Sequence, residues 1–105
     1  MRSMLLLSAA LLATSPAYAN TGMTMRECFA PGVKPDTMVF CRGVLVGAAD
    51  ALATQGHICY PQGTRRAGVL ALVKDYVLAH PEALDSEASA VAAAATIDAW
   101  SCRRV

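Results

Sequence analysis

The side chains best suited to chemistry in this chain are four cysteines, Cys28, Cys41, Cys59 and Cys102, and two histidines, His57 and His80. The cysteines stand 13, 18 and 43 residues apart, with no C-x-x-C pair among them. Zinc sites draw their thiolates from closely spaced pairs, so the spacing speaks against a metal centre. An even number of cysteines in a small chain reads as two disulfides. His57 falls in a connection between predicted helices. His80 precedes Pro81 at a predicted helix end, where a contact with the helix dipole is reason enough for it. Met23, Met25 and Met38 offer soft sulfur ligands, but no His or Cys pairs with them locally, and packing is their ordinary use. Ser86 and Ser101 fall at helix ends, where capping is the usual role. No H-E-x-x-H, G-x-S-x-G, phosphate loop or paired-carboxylate pattern occurs. The sequence therefore offers no catalytic residue, no metal ligand set and no cofactor site, and the expectation is a protein that is not an enzyme.

The first 19 residues have the layout of a secretory signal peptide. Met1-Arg2-Ser3 is a basic start, Met4 to Leu12 an apolar run, and Ala17-Tyr18-Ala19 a small-x-small cleavage site, with the cut expected between Ala19 and Asn20. The domain reading is thus a signal peptide over 1–19 and one domain over 20–105. Cleavage removes Arg2 and brings Lys+Arg from 9 to 8, against Asp+Glu 8. A neutral domain exerts no long-range pull on nucleic acid or on an acidic membrane face. No apolar run after the signal is expected to cross a membrane. Export, most simply to a bacterial periplasm, agrees with paired cysteines.

The cysteines are positioned by helices. Thr24 is placed to cap a short helix over Met25 to Phe29. Pro31, Gly32 and Pro35 break the chain before a long central helix that starts at Pro35 or Asp36 and runs to about Gln55, with Gly56 as the stop. Phe40, Val44, Ala48 and Ala51-Leu52, with Cys41, Leu45 and Ala49 beside them, give it a wide apolar face. Gly43 and Gly47 share one side of it. Each costs about 1 kcal/mol of helix propensity, which suggests close approach of a neighbouring helix there. Thr64 is expected to cap the next helix, with Val69, Leu70, Val73 and Tyr76-Val77 as its apolar stripe and His80-Pro81 as its end. After a turn, Asp85 or Ser86 is expected to cap an alanine-rich helix from Glu87 to about Trp100, its periodicity held by Ala88, Val91, Ala95 and Ile97-Asp98. The predicted architecture is all-α: a small disulfide-stapled bundle of three main helices plus a short N-terminal one.

Short connections make successive helices antiparallel. Cys41 then lies near one end of the central helix and Cys59 beyond the other, on the order of 20 Å apart at about 1.5 Å per residue, which excludes that pair. Cys28–Cys41 and Cys59–Cys102 are the favoured bridges; Cys28–Cys59 with Cys41–Cys102 remains the alternative.

One pattern joins these observations. Cys28 is followed by Phe40-Cys41-x-Gly43-x-x-x-Gly47 with Asp50, then Cys59-x-Pro61, Tyr76-x-x-x-His80-Pro81-Glu82, Trp100 and Cys102. Over about residues 25–104 it resembles the Rap/Tai family of periplasmic immunity proteins. It departs from the family at Val44, in place of an aromatic, and at Ser101, in place of proline. The resemblance implies a protein that occludes a peptidoglycan amidase effector of type VI secretion, often as a homodimer. On that reading the contacts are sought near the connection after the central helix, at Gln55, His57, Gln62, Arg65 and Arg66. The competing expectations are a small periplasmic acid-stress chaperone, in which titration exposes apolar surface, and a structural or assembly module with no toxin partner.

Overall fold

A computed structural model describes residues 22–102. The predicted signal peptide and its Ala19–Asn20 cleavage site lie outside the described residues. Four α-helices follow one another: α1 (Met25–Phe29), α2 (Pro35–Thr54), α3 (Arg66–Ala79) and α4 (Ala88–Trp100), with a 3-10 turn over Pro81–Asp85 before α4. The all-α expectation is met, and no strand occurs among the described residues.

Local chemistry sets the helix ends. Thr24 caps α1 in a full capping box: its hydroxyl accepts from the Glu27 backbone N–H at 3.4 Å, and its own N–H donates to Glu27 Oε1 at 3.2 Å. Pro35 occupies the first turn of α2, where its missing N–H costs nothing. Gly56 ends that helix in the left-handed region at φ +79°, which a side chain would oppose. Two expected caps are corrected. Thr64 does not cap α3; its hydroxyl donates to the Pro61 carbonyl at 2.6 Å and closes a turn, and Arg65 stands at the N-cap without a side-chain bond. Neither Asp85 nor Ser86 caps α4. They end the 3-10 turn, and Glu87 takes the N-cap. The N–H of Ala88 instead donates to the Met23 carbonyl at 2.7 Å, so the segment before α1 satisfies a helix donor that no side chain serves.

The three long helices share one core. At the α1 end, Met25, Cys28, Cys41, Leu45, Val73, Val77 and Val91 are buried together with small residues of α4. At the other end Val46, Ala49, Leu52, Ile58, Val69 and Ala93 form a second cluster closed over by Tyr60 and Trp100. The predicted stripe of α3 is buried as expected at Val69, Val73 and Val77. In α4, Ala88, Val91 and Ala95 hold the inner face, joined by Ala92, Ala93 and Thr96. Ile97 and Asp98 do not belong to it; both are exposed. Thr96 is buried with its hydroxyl donating to the Ala92 carbonyl at 2.8 Å, so burial leaves no orphan donor.

The roll of α2 differs from expectation. Cys41, Leu45, Ala48, Ala49 and Leu52 face the core, while Phe40 is 51% exposed. Gly43 and Gly47 are exposed, and a Cβ built on either meets nothing within 4 Å, so the alanine-rich helix does not approach there. Successive residues turn by about 100° around a helix. Gly43 therefore points about 200° away from Cys41, which must face inward to reach Cys28. The disulfide fixes the roll, and the glycines fall on the outside.

α2 also meets, by length and composition, the requirement for crossing a membrane, contrary to the expectation that no such run follows the signal: its 20 residues contain a window of mean hydropathy 1.4. Here it is the central helix of the bundle, packed by α3 and α4 and bonded to α1 through Cys41.

Both favoured disulfides are present. Cys28–Cys41 spans Cα atoms 5.7 Å apart, and Cys59–Cys102 spans 5.0 Å. No cysteine is free.

Candidate functional site

At one end of the bundle the connection between α2 and α3 is fastened to the C-terminus of α4. The Cys59 N–H donates to the Trp100 carbonyl at 2.8 Å, Ile58 and Ser101 form a β-bridge, and the Cys59–Cys102 disulfide closes the join. Tyr60 packs edge-on against Trp100, with ring centroids 5.7 Å apart. Its hydroxyl donates to Asp50 Oδ1 on α2 at 2.5 Å. Burial pushes the Tyr60 phenol above its ordinary range, and the bond to Asp50 and that carboxylate's charge add to it.

The residues singled out for partner contact all lie exposed near this end. Gln55 is the C-cap of α2, His57 and Gln62 lie on the connection, and Arg65 and Arg66 begin α3. The structure gathers only the two arginines, around a small cavity of about 180 Å³ that they share with Asp50, Tyr60, Thr64 and Val69. Gln55, His57 and Gln62 stay apart from it on the solvent side.

A larger feature begins at the same place and runs along the outer face of the bundle, first between α2 and α3 and then between α1 and α3. Its first part, about 720 Å³, is floored by Gly43, Val46 and Gly47 and edged by Val39, Leu70, Arg42 and Arg66. It continues over Met38, Cys41 and Ala71 into a part of about 350 Å³ beside the Cys28–Cys41 bridge. It ends in a part of about 690 Å³ among Phe29, Pro31, Leu78 and Leu84. Neighbouring parts share residues: Arg42, Ala67 and Leu70 join the first two, and Phe29 and Lys74 join the last two. Two large apolar side chains on its walls are mostly open to solvent, Val39 at 67% and Leu78 at 69%.

Sequence reasoning did not find this groove. It expected a neighbouring helix to approach Gly43 and Gly47 and singled out neither Arg42 nor Lys74. The signal available was the phase relation to Cys41, which places Val39, Gly43, Gly47 and Asp50 on the side opposite the cysteine.

Among the described residues no three His, Cys, Asp or Glu side chains gather as a metal site. His80 stacks on Tyr76 with ring centroids 4.2 Å apart, and its Nδ1–H donates to the Tyr76 carbonyl at 3.0 Å, a helix-end contact as expected. Met23 lies with its sulfur 3.1 Å from Cys41 Sγ, against a disulfide. Arg26 and Asp85 pair at 2.8 Å, and the hydrogen bond, then the charge, of Arg26 hold the Asp85 carboxyl below its usual range.

The sequence profile of the Rap1a immunity proteins matches residues 24–102, from the cap of α1 to the last cysteine. The chain belongs to this family. The match takes in all four helices and both disulfides, so the fold described above is that of the family's domain in this Rap1a protein. Comparison with curated proteins and with solved structures gave no match. Membership makes this an immunity-family chain, whose role is to meet an effector protein.

Proposed function

We propose that this protein is an exported, non-catalytic immunity protein. It binds a peptidoglycan amidase delivered by type VI secretion and blocks its cleft in the periplasm. Membership of the Rap1a family over the whole described domain is the observation that carries this reading. The structure is of a kind that suits occlusion. The Cys59–Cys102 disulfide and the Tyr60–Trp100 contact fasten the end that presents Gln55, His57, Gln62, Arg65 and Arg66. A fastened surface loses little entropy on binding, and that favours affinity. On this reading the signal peptide over 1–19 is removed between Ala19 and Asn20, and the mature protein acts as a homodimer.

Co-expression with candidate type VI amidases directed to the periplasm tests the proposal. Cells carrying the wild-type protein are expected to survive an amidase that lyses cells without it. Equal lysis across the candidates would sink the immunity reading. N-terminal sequencing of the exported product should begin at Asn20, and its elution volume with light scattering should report a dimer.

A further inference from the structure

The outer groove has an unusual charge distribution. Of the six lysines and arginines among residues 22–102, four line it: Arg26, Arg42, Arg66 and Lys74. Of the eight carboxylates in the same span, only Asp50 does, and Asp50 accepts the Tyr60 hydrogen bond. Arg26 is answered by Asp85, the one ion pair among the described residues. Arg42, Arg66 and Lys74 thus edge an apolar trough in a domain that is acidic over the rest of its described surface. Contiguous exposed apolar surface rimmed by charge marks an interaction site.

We propose that this groove is the docking surface for a protein partner, and that it takes an element with one apolar face and an acidic flank. The identity of that partner rests on the immunity reading; its chemistry rests on the groove. The glycine floor gives room for side chains of an incoming helix or strand, since no Cβ rises from positions 43 and 47. Val39, Leu70 and Leu78 supply apolar contact. The three cations steer and orient an acidic element, because complementary charge governs encounter and register. A second copy of this chain is the less suitable occupant. A two-fold contact would set the same patch against itself, placing three unpaired cations opposite three, with only Asp50 of each copy to offset them. The groove adjoins the cavity of Arg65 and Arg66 through Val46, Asp50 and Arg66, so one partner can contact both.

The test uses the exported, oxidised protein labelled with nitrogen-15. The probe is a helical peptide with leucines along one face and glutamates along the other, with versions carrying glutamine or lysine in place of glutamate. The glutamate peptide is expected to shift the backbone amides of Gly43, Gly47, Leu70 and Lys74. Its affinity should fall about tenfold or more in the glutamine version and in an Arg42→Glu/Lys74→Glu double variant, as expected for paired charges. Asp98→Lys, on the exposed side of α4, should leave binding unchanged. Equal affinity for the glutamine peptide, shifts centred elsewhere, or no shift would overturn the proposal. Tighter binding of phosphatidylglycerol vesicles at the same amides would assign the groove to a membrane surface. Concentration-dependent shifts of those amides in the protein alone would assign it to a second copy. An amidase neutralised in co-expression is then titrated against the double variant. Unchanged binding would overturn the docking surface while the immunity reading stands. Absent protection with peptide binding intact would do the reverse.

Discussion

At the scale of single residues, Tyr60 concentrates most of what the structure adds. It joins three elements: its ring rests on Trp100 of α4, its hydroxyl binds Asp50 of α2, and its backbone belongs to the connection between α2 and α3. Tyr60→Phe keeps the ring contact and removes the hydrogen bond. A loss of about 0.5–1 kcal/mol is expected at neutral pH, at the low end because solvent reaches the pair. The pH dependence has a definite sign. The folded-state value of the phenol is raised above its ordinary 10.0, so the protonated phenol stabilises the fold. That contribution is whole below pH 10.0 and is lost as the pH rises through the raised value. Urea unfolding of wild type and Tyr60→Phe at neutral and strongly alkaline pH should show the difference shrinking at the alkaline end. A difference that grows with pH would reverse the assignment. The capping box at Thr24 and Glu27 is the opposite case. It is a residue-scale device legible from spacing alone, because both partners lie within one turn.

At the scale of elements, the decisive question is which way α2 faces. Apolar and small residues surround most of this helix, so periodicity alone leaves its roll weakly specified. Cys41 supplies the missing constraint, since the disulfide to α1 requires it to face inward. Gly43 and Gly47 then have open space outside them. Gly43→Ala and Gly47→Ala are expected to raise stability by up to about 1 kcal/mol each, through helix propensity alone. Ala92→Leu on the buried face of α4 should lower stability by about 1–3 kcal/mol, because the packing has no room for the added atoms. Thermal and urea unfolding of the three variants measure both effects together. Destabilised glycine variants beside a neutral Ala92→Leu would mean that α4 lies on the glycine side after all.

At the scale of the whole molecule, two staples and two half-cores hold opposite ends of the bundle. Cys28–Cys41 ties α1 to α2 beside one buried cluster, and Cys59–Cys102 ties the α2–α3 connection to the chain's last helix beside the other. Alanine-rich α4 brings close packing but little apolar area per residue, which leaves the domain dependent on its cross-links. The loops closed are 13 and 43 residues in sequence separation, for which chain entropy gives about 3 and about 4 kcal/mol. Against a total stability of about 5–10 kcal/mol for a domain of this size, either loss is severe. The Cys59→Ala/Cys102→Ala variant should be the less stable of the two paired-alanine variants, by about 1 kcal/mol in urea unfolding. The reverse order would show that strain or residual structure outweighs loop length.

The sequence by itself determined the helices and most of their ends, and it favoured the cysteine pairing found while leaving one alternative open. Those depend on neighbours along the chain: Thr24 with Glu27, Pro35 at a helix start, Gly56 at a helix end, and the alternation of direction that short connections impose. It also carried the family, through a pattern of cysteines, glycines and the His80-Pro81 turn that spans the matched region. Only the tertiary structure decided that Ile97 is outside and that Gly43 and Gly47 floor a cation-edged groove. The physical reason is common to both. A helix that is apolar or small nearly all round buries whichever face its partners and cross-links select. Chemistry left on the other face becomes surface, and the shape and charge of that surface come from residues distant in the chain: Arg42 on one helix, Arg66 and Lys74 on the next.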